Sequence, residues 1–127
     1  MYMAKLLENI SDLNDLIIVG KSMEAFEKYY HEDIVRYVHK NLPIIGKSSN
    51  RNIEKDAQSL ITDLRLAKPL KVAIGEGIAI IEWYFDYTHK NLGIQQYKKV
   101  AVQEWKNGLV MSEKFYYNFE HKEPCII

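Results

Sequence analysis

The sequence predicts an α+β domain in which helices precede an antiparallel sheet. Three observations point there. In the first half, apolar residues recur every three or four positions, the period of one helix face. After Pro69 the period drops to two, the alternation of strands. The separators in the second half are turn-formers, above all Asn107-Gly108, a pair suited to the type I′ turn of a tight hairpin. Helices first and a meander after them leave one sheet face for the helices to cover.

Met3, Leu6, Leu7, Ile10, Leu13, Leu16 and Ile17 mark the first helix, and Gly20 ends it. Ser22 is the expected cap of a short second helix bearing Met23, Phe26, Tyr29 and Tyr30. Ile34 to His39 is rich in β-branched and aromatic residues and reads as a strand. Pro43 and Gly46 then break the chain. Ser48 or Ser49 is the expected cap of a third helix with Ile53, Ala57, Leu60, Ile61 and Leu64 on one face, stopped by Pro69. Four strands are expected next: Leu70–Ile74, Ile78–Thr88, Ile94–Lys106 and Leu109–Phe119. They are long enough that the sheet must twist and curve.

Composition narrows the function. The 127 residues carry 17 Lys and Arg against 17 Asp and Glu, a net charge of zero with His neutral. That balance removes the broad attraction on which nucleic-acid and anionic-membrane binding rests, so neither partner is expected. The length suits a single domain over 1–127, with a core over 3–119 and a tail over 120–127. A lone cysteine, Cys125, excludes an intrachain disulfide and a multi-cysteine zinc site. No two histidines share an element at ligand spacing, so no metal is expected, and no cofactor. Charged residues interrupt every apolar stretch before membrane-spanning length, so the chain reads as soluble and cytoplasmic.

Three segments carry a resemblance. Phe26-Glu27-Lys28-Tyr29-Tyr30-His31-Glu32-Asp33-Ile34-Val35 is similar to the helix-into-strand segment of the SnoaL-like branch of the nuclear transport factor 2-like superfamily. Gly46 before the third helix matches a glycine of that group. Trp105-Lys106-Asn107-Gly108-Leu109-Val110, running to Tyr116-Tyr117-Asn118, resembles its final hairpin. The resemblance spans roughly residues 3–119. It implies a strongly curved antiparallel sheet forming a cone, three N-terminal helices closing its wide end, an internal cavity, and a homodimer packed through the convex face. The group includes ketosteroid isomerase, dehydratases, an epoxide hydrolase, cyclases and non-catalytic binding proteins, so fold alone does not choose among activities. Steroid isomerase chemistry is disfavoured. Carried over residue by residue, its base falls at Val38, its Tyr near Asn14 and its acid near Ala101 or Val102.

The residues suggest another pair. With a two-residue Asn107-Gly108 turn, strict alternation puts Val100, Val102, Glu104, Met111, Glu113, Phe115 and Tyr117 on one face, with Glu104 diagonal to Glu113. The register of the related proteins turns Glu113 and Phe115 toward the cavity. Two adjacent carboxylates in an apolar cavity could divide acid and base roles. The alternative places them near the mouth or on the convex face, solvated or paired with Lys98, Lys106 or Lys114. The candidate catalytic residues are therefore Glu113, Glu104 and His39, the last near the cavity mouth, where an imidazole would suit a general base. The candidate ligand-binding residues are Tyr37, Trp83, Phe85, Val102, Met111 and Phe115, aromatic or apolar walls for a small apolar molecule. Through a two-residue turn Trp83 would approach Val100. The expected function is binding of a small apolar or aromatic ligand, with isomerase-, cyclase- or dehydratase-like acid–base activity. The alternative is a non-catalytic dimeric interaction or binding domain of the same fold.

Overall fold

The computed structural model describes residues 2–38 and 42–118. Three helices, α1 (Tyr2–Ile18), α2 (Ser22–Tyr29) and α3 (Lys47–Ser59), pack on one sheet of six strands. The strands are β1 (Tyr30–Tyr37), β2 (Ile44–Ile45), β3 (Ile61–Gly75), β4 (Ile78–His89), β5 (Gly93–Lys106) and β6 (Leu109–Tyr117). Their order is β2-β1-β6-β5-β4-β3. The last four form the expected antiparallel meander, while β1 joins β6 in parallel and carries the short β2 on its outer edge. The sheet curls into a cone, with the helices over its inner face.

α1 buries Leu6, Ile10, Leu13 and Ile17, the stripe its three-and-four spacing dictates. Its end closes with Gly20 N–H donating to the Ile17 carbonyl and Lys21 N–H to that of Leu16. On β4 the buried residues alternate without a break from Ala79 through Ile81, Trp83, Phe85 and Tyr87 to His89, defining the inner face.

Several expected boundaries move. Helix α3 ends at Ser59, and β3 starts at Ile61, nine residues before Leu70. Pro69 sits inside that strand rather than ahead of it. This is tolerated because β3 is an edge strand and its pairing with β4 shifts between Pro69 and Lys71. Neither serine expectation holds as stated. Helix α2 begins at Ser22 with Lys21 at its cap position, and α3 begins at Lys47 with Gly46 there, both lacking a side-chain cap. Gly46 adopts φ 92, a conformation that glycine takes without the Cβ penalty, and its N–H reaches back to the Ile34 carbonyl. The first strand opens at Tyr30, four residues earlier than its β-branched run indicates. No described helix is long and apolar enough to cross a membrane.

Candidate functional site

The inner face of the cone is not uniformly apolar. On β1, alternation turns Ile34 and Arg36 inward, and on β6 it turns Glu113 and Phe115 inward. Arg36 and Glu113 are register partners across the parallel β1–β6 pair. Helix α3 faces them with a polar stripe, Lys47, Asn50 and Glu54, while Ile53 of the expected apolar face is only partly buried. Asn50 holds the loop before α3 through bonds to the Ile44 and Gly46 carbonyls, at 3.0 and 2.8 Å. Glu54 receives Arg36.

The result is a buried chain of charges and hydrogen bonds. Arg36 Nη2 donates to Glu54 Oε1 at 3.0 Å, and Arg36 Nε lies 3.5 Å from Glu113 Oε1. Tyr30 Oη donates to Glu113 Oε1 at 2.6 Å, and Gln103 Nε2 to Glu113 Oε2 at 2.7 Å. The Trp105 indole N–H donates to Gln103 Oε1 at 2.9 Å. At the other end, Gln58 Nε2 donates to Glu54 Oε2 at 3.0 Å. Arg36, Glu54 and Glu113 are no more than 1% exposed, as is Tyr30.

Such burial is costly unless every charge is compensated. Arg36 and Lys99, both fully buried, offset Glu54 and Glu113 in number. The aromatic rings help. The Arg36 guanidinium lies 5.3 to 5.8 Å from the ring centres of Phe26, Tyr30 and Phe115. Lys99 Nζ lies 4.7 Å from that of Phe85 and 4.3 Å from that of Phe115. Burial alone would pull the Arg36 guanidinium down. Glu54, Glu113 and Tyr30 outweigh it and hold the group above its ordinary value. Burial pushes the Tyr30 phenol well above its ordinary value, and the neighbouring Glu113 adds to the shift, so this hydroxyl remains a donor.

The chain leads to a recess. Where α1, α2, α3 and β3 meet, a cavity of about 260 Å³ is lined by Ile17, Gly20, Ser22, Gln58, Ile61, Thr62, Asp63, Leu64 and Phe85. Its apolar wall is Ile17, Ile61, Leu64 and Phe85. Gln58 stands between this recess and Glu54, touching both.

The candidate residues separate into two groups. Glu113, Phe115, Trp83 and Phe85 point inward and are buried. Val102 and Glu104 do not. Val102 pairs with Ile80 and Lys114 on the outer face, and Glu104 is exposed opposite Ile78 and Ser112. The turn is two residues, with Lys106 opposite Leu109 and Trp105 opposite Val110, and Asn107 and Gly108 at φ 53 and 79. The next pair, however, is Glu104 with Ser112. Met111 is the extra residue of a β-bulge, and beyond it every partner slips by one. Gln103 and Trp105 therefore share the inner face with Glu113, and the expected Glu104–Glu113 pair is replaced by Gln103–Glu113. Met111 itself is partly buried at the bulge. A similar slip affects Trp83, which pairs with Lys99 rather than approaching Val100, because three residues separate His89 from Gly93. Tyr37 lies on the outer side of β1, partly buried, with Lys114 Nζ 5.0 Å from its ring centre. His39 lies outside the described residues.

Arg36, Glu54 and Gln58 were not singled out from sequence, and Tyr30 was read only as an apolar residue of the second helix and part of the helix-into-strand segment. The available signal was the run Ile34-Val35-Arg36-Tyr37-Val38. There an arginine occupies an inward position between two apolar residues and so requires a buried acid. Among the described residues, no three acidic, His or Cys side chains cluster as metal ligands would.

No protein-family model matches the sequence, and no curated protein does. Solved structures match closely in shape. A protein of Mesorhizobium loti named as a SnoaL-like polyketide cyclase superposes with a TM-score of 0.77 at 24% identity, covering 87% of this chain and 97% of its own. An NTF2-like protein of unknown function from Burkholderia pseudomallei gives 0.76 at 10% identity, covering 90% and 91%. An LEH-like epoxide hydrolase of Mycobacterium tuberculosis gives 0.75 at 11% identity, covering 93% and 86%. At these identities the likeness establishes the shared cone fold.

Proposed function

We propose that this chain, built on the cone fold of nuclear transport factor 2-like and SnoaL-like proteins, binds a small, largely apolar molecule with one polar oxygen. The binding place is the recess between α1, α3 and β3, and Glu54, behind Gln58, fixes the orientation of the amide that meets the bound molecule. One observation carries the reading: the Gln58 amide touches both the recess and a fully buried carboxylate. At about 260 Å³ the recess lies just below the range typical of ligand pockets, which favours a molecule about the size of a single ring. Ile17, Ile61, Leu64 and Phe85 supply apolar contact, and Gln58 supplies the amide that orients a carbonyl or hydroxyl. Glu113 already accepts from Tyr30 and Gln103. It is therefore assigned to hold Arg36, and through it Glu54, in place. The neighbouring structures named as a cyclase and an epoxide hydrolase support this reading as relatives in fold.

The test is a titration of cyclohexanone and of phenol into ¹⁵N-labelled protein. Saturable shifts of the Gln58 side-chain amide and of the Thr62 and Leu64 backbone amides, with outer-face residues such as Glu104 unmoved, are expected. Shifts absent from those three groups overturn the proposal.

A second reading, a non-catalytic homodimeric interaction domain, is favoured by the outer sheet face. There Ile78 and Ile80 are 41% exposed and Tyr116 is 56% exposed, beside Val100 and Val102. Binding and self-association are compatible, and the two tests are independent.

A further inference from the structure

A second recess lies at the far end of α1. It has a volume of about 320 Å³ and is bounded by Lys5, Leu6 and Asn9 of the helix and by Trp105, Lys106 and Gly108 at the β5–β6 turn. Ile17, which lines the first recess, is 8 residues beyond Asn9 and 12 beyond Lys5 along α1, about 12 to 18 Å away at 1.5 Å per residue. The two places are therefore separate.

We propose that this second recess is a binding site for a planar apolar molecule carrying a carboxylate. Its floor is apolar and rigid. Leu6 and Trp105 are each only 6% exposed, so they offer an aliphatic surface and an indole edge. The indole is pinned from behind by its N–H bond to Gln103 and from the side by the Tyr29 ring, 5.9 Å between centres. One wall is the type I′ turn, whose Gly108 packs against α1. A Cβ built there would lie 3.5 Å from Asn9 Nδ2, so the asparagine amide sits at the wall as a donor.

The rim sets the charge. Lys5 on α1 and Lys106 beside the β5–β6 turn are exposed residues that both border the recess. Glu8 touches Lys5 at 3.6 Å, in a pair whose side chains are 73% and 69% exposed respectively. Solvent screens that pair heavily, so it leaves Lys5 able to turn to a ligand anion. Two cations and an amide donor around an apolar floor match an anionic oxygen group on a flat hydrophobic body. They disfavour a cation, which would meet both lysines. The volume accommodates a bicyclic ring system at the lower end of ordinary ligand pockets.

The test uses 1-naphthoate titrated into the full ¹⁵N-labelled chain, with 1-naphthol as the uncharged comparison. Saturable movement of the Trp105 indole N–H, the Asn9 side-chain amide and the Gly108 backbone amide is expected, with a Kd on the order of 1 mM or tighter. The neutral compound is expected to bind roughly tenfold more weakly, and so is naphthoate to the Lys5→Glu/Lys106→Glu double variant. Both lysines are exposed, so this variant is expected to retain the wild-type spectrum outside the recess. Stationary Trp105, Asn9 and Gly108 signals overturn the proposal. So does equal binding of naphthol and naphthoate, an unchanged affinity in the double variant, or naphthoate shifts confined to Gln58 and Leu64 at the other recess.

Discussion

Arg36→Met isolates the contribution of the buried charges. The guanidinium faces two carboxylates, at 3.0 Å on Glu54 and 3.5 Å on Glu113, and is 1% exposed. At an effective dielectric constant of about 20 each contact amounts to roughly 5 kcal/mol before desolvation is counted. Desolvation of all three groups offsets most of that gain. Removing the arginine alone leaves its partners' desolvation in place and takes away their compensation. The expected cost is therefore about 3–5 kcal/mol at neutral pH, the range found when one member of a buried pair is deleted. That is a large share of the 5–15 kcal/mol by which domains are typically stable. Urea unfolding followed by tryptophan fluorescence measures it, since Trp83 and Trp105 are both buried. The companion Arg36→Met/Glu54→Gln variant removes one charge of each sign, leaving Lys99 to offset Glu113, and is expected within about 2 kcal/mol of wild type. A loss below about 1 kcal/mol for the single variant, or a double variant no better than the single, would refute this reasoning.

Tyr30→Phe tests the phenol. Its folded pKa is raised, so Tyr30 contributes stability that is fully present below the unfolded value near 10 and lost as pH rises above it. Wild type is expected to lose about 1 kcal/mol more than the variant between pH 10 and 11, in urea titrations at each pH. Parallel curves would contradict it. Gly108→Ala forces an L-residue to φ 79 and is expected to cost about 1–2 kcal/mol, read from thermal unfolding. An unchanged midpoint would show that the turn relaxes freely. For assembly, light scattering at about micromolar concentration is expected to give twice the chain mass, and Ile80→Lys to give the monomer mass. A wild-type monomer would remove the outer face as a self-association surface.

Much of the architecture was legible in the residues, because apolar spacing is a direct consequence of which face is buried. The stripe Leu6, Ile10, Leu13 and Ile17 and the alternation from Ala79 to His89 follow from period alone. The Asn107-Gly108 turn followed from its backbone requirement. The bulge at Met111 did not, since nothing in Leu109-Val110-Met111-Ser112 marks an extra residue. Because side chains alternate, that single residue exchanged Val102 and Glu104 for Gln103 and Trp105 on the inner face. Helix α3 misled for a different reason. The apolar residues Ile61 and Leu64 continue the helical spacing into what is strand, while the buried residues of the helix include polar Asn50, bonded to the nearby Ile44 and Gly46 carbonyls, and Glu54, held by Arg36 from a distant strand. A hydrophobic pattern cannot register a buried face made of ion pairs and amides.

The most direct measurement of the proposed site is the crystal structure of the protein soaked with cyclohexanone. A ring bound against Ile17, Ile61, Leu64 and Phe85, with its oxygen at hydrogen-bond distance from the Gln58 amide and Glu54 still joined to Arg36, is the expected result. A recess closed by its own side chains in the soaked crystal, or a ketone bound only on the outer sheet face, would contradict it.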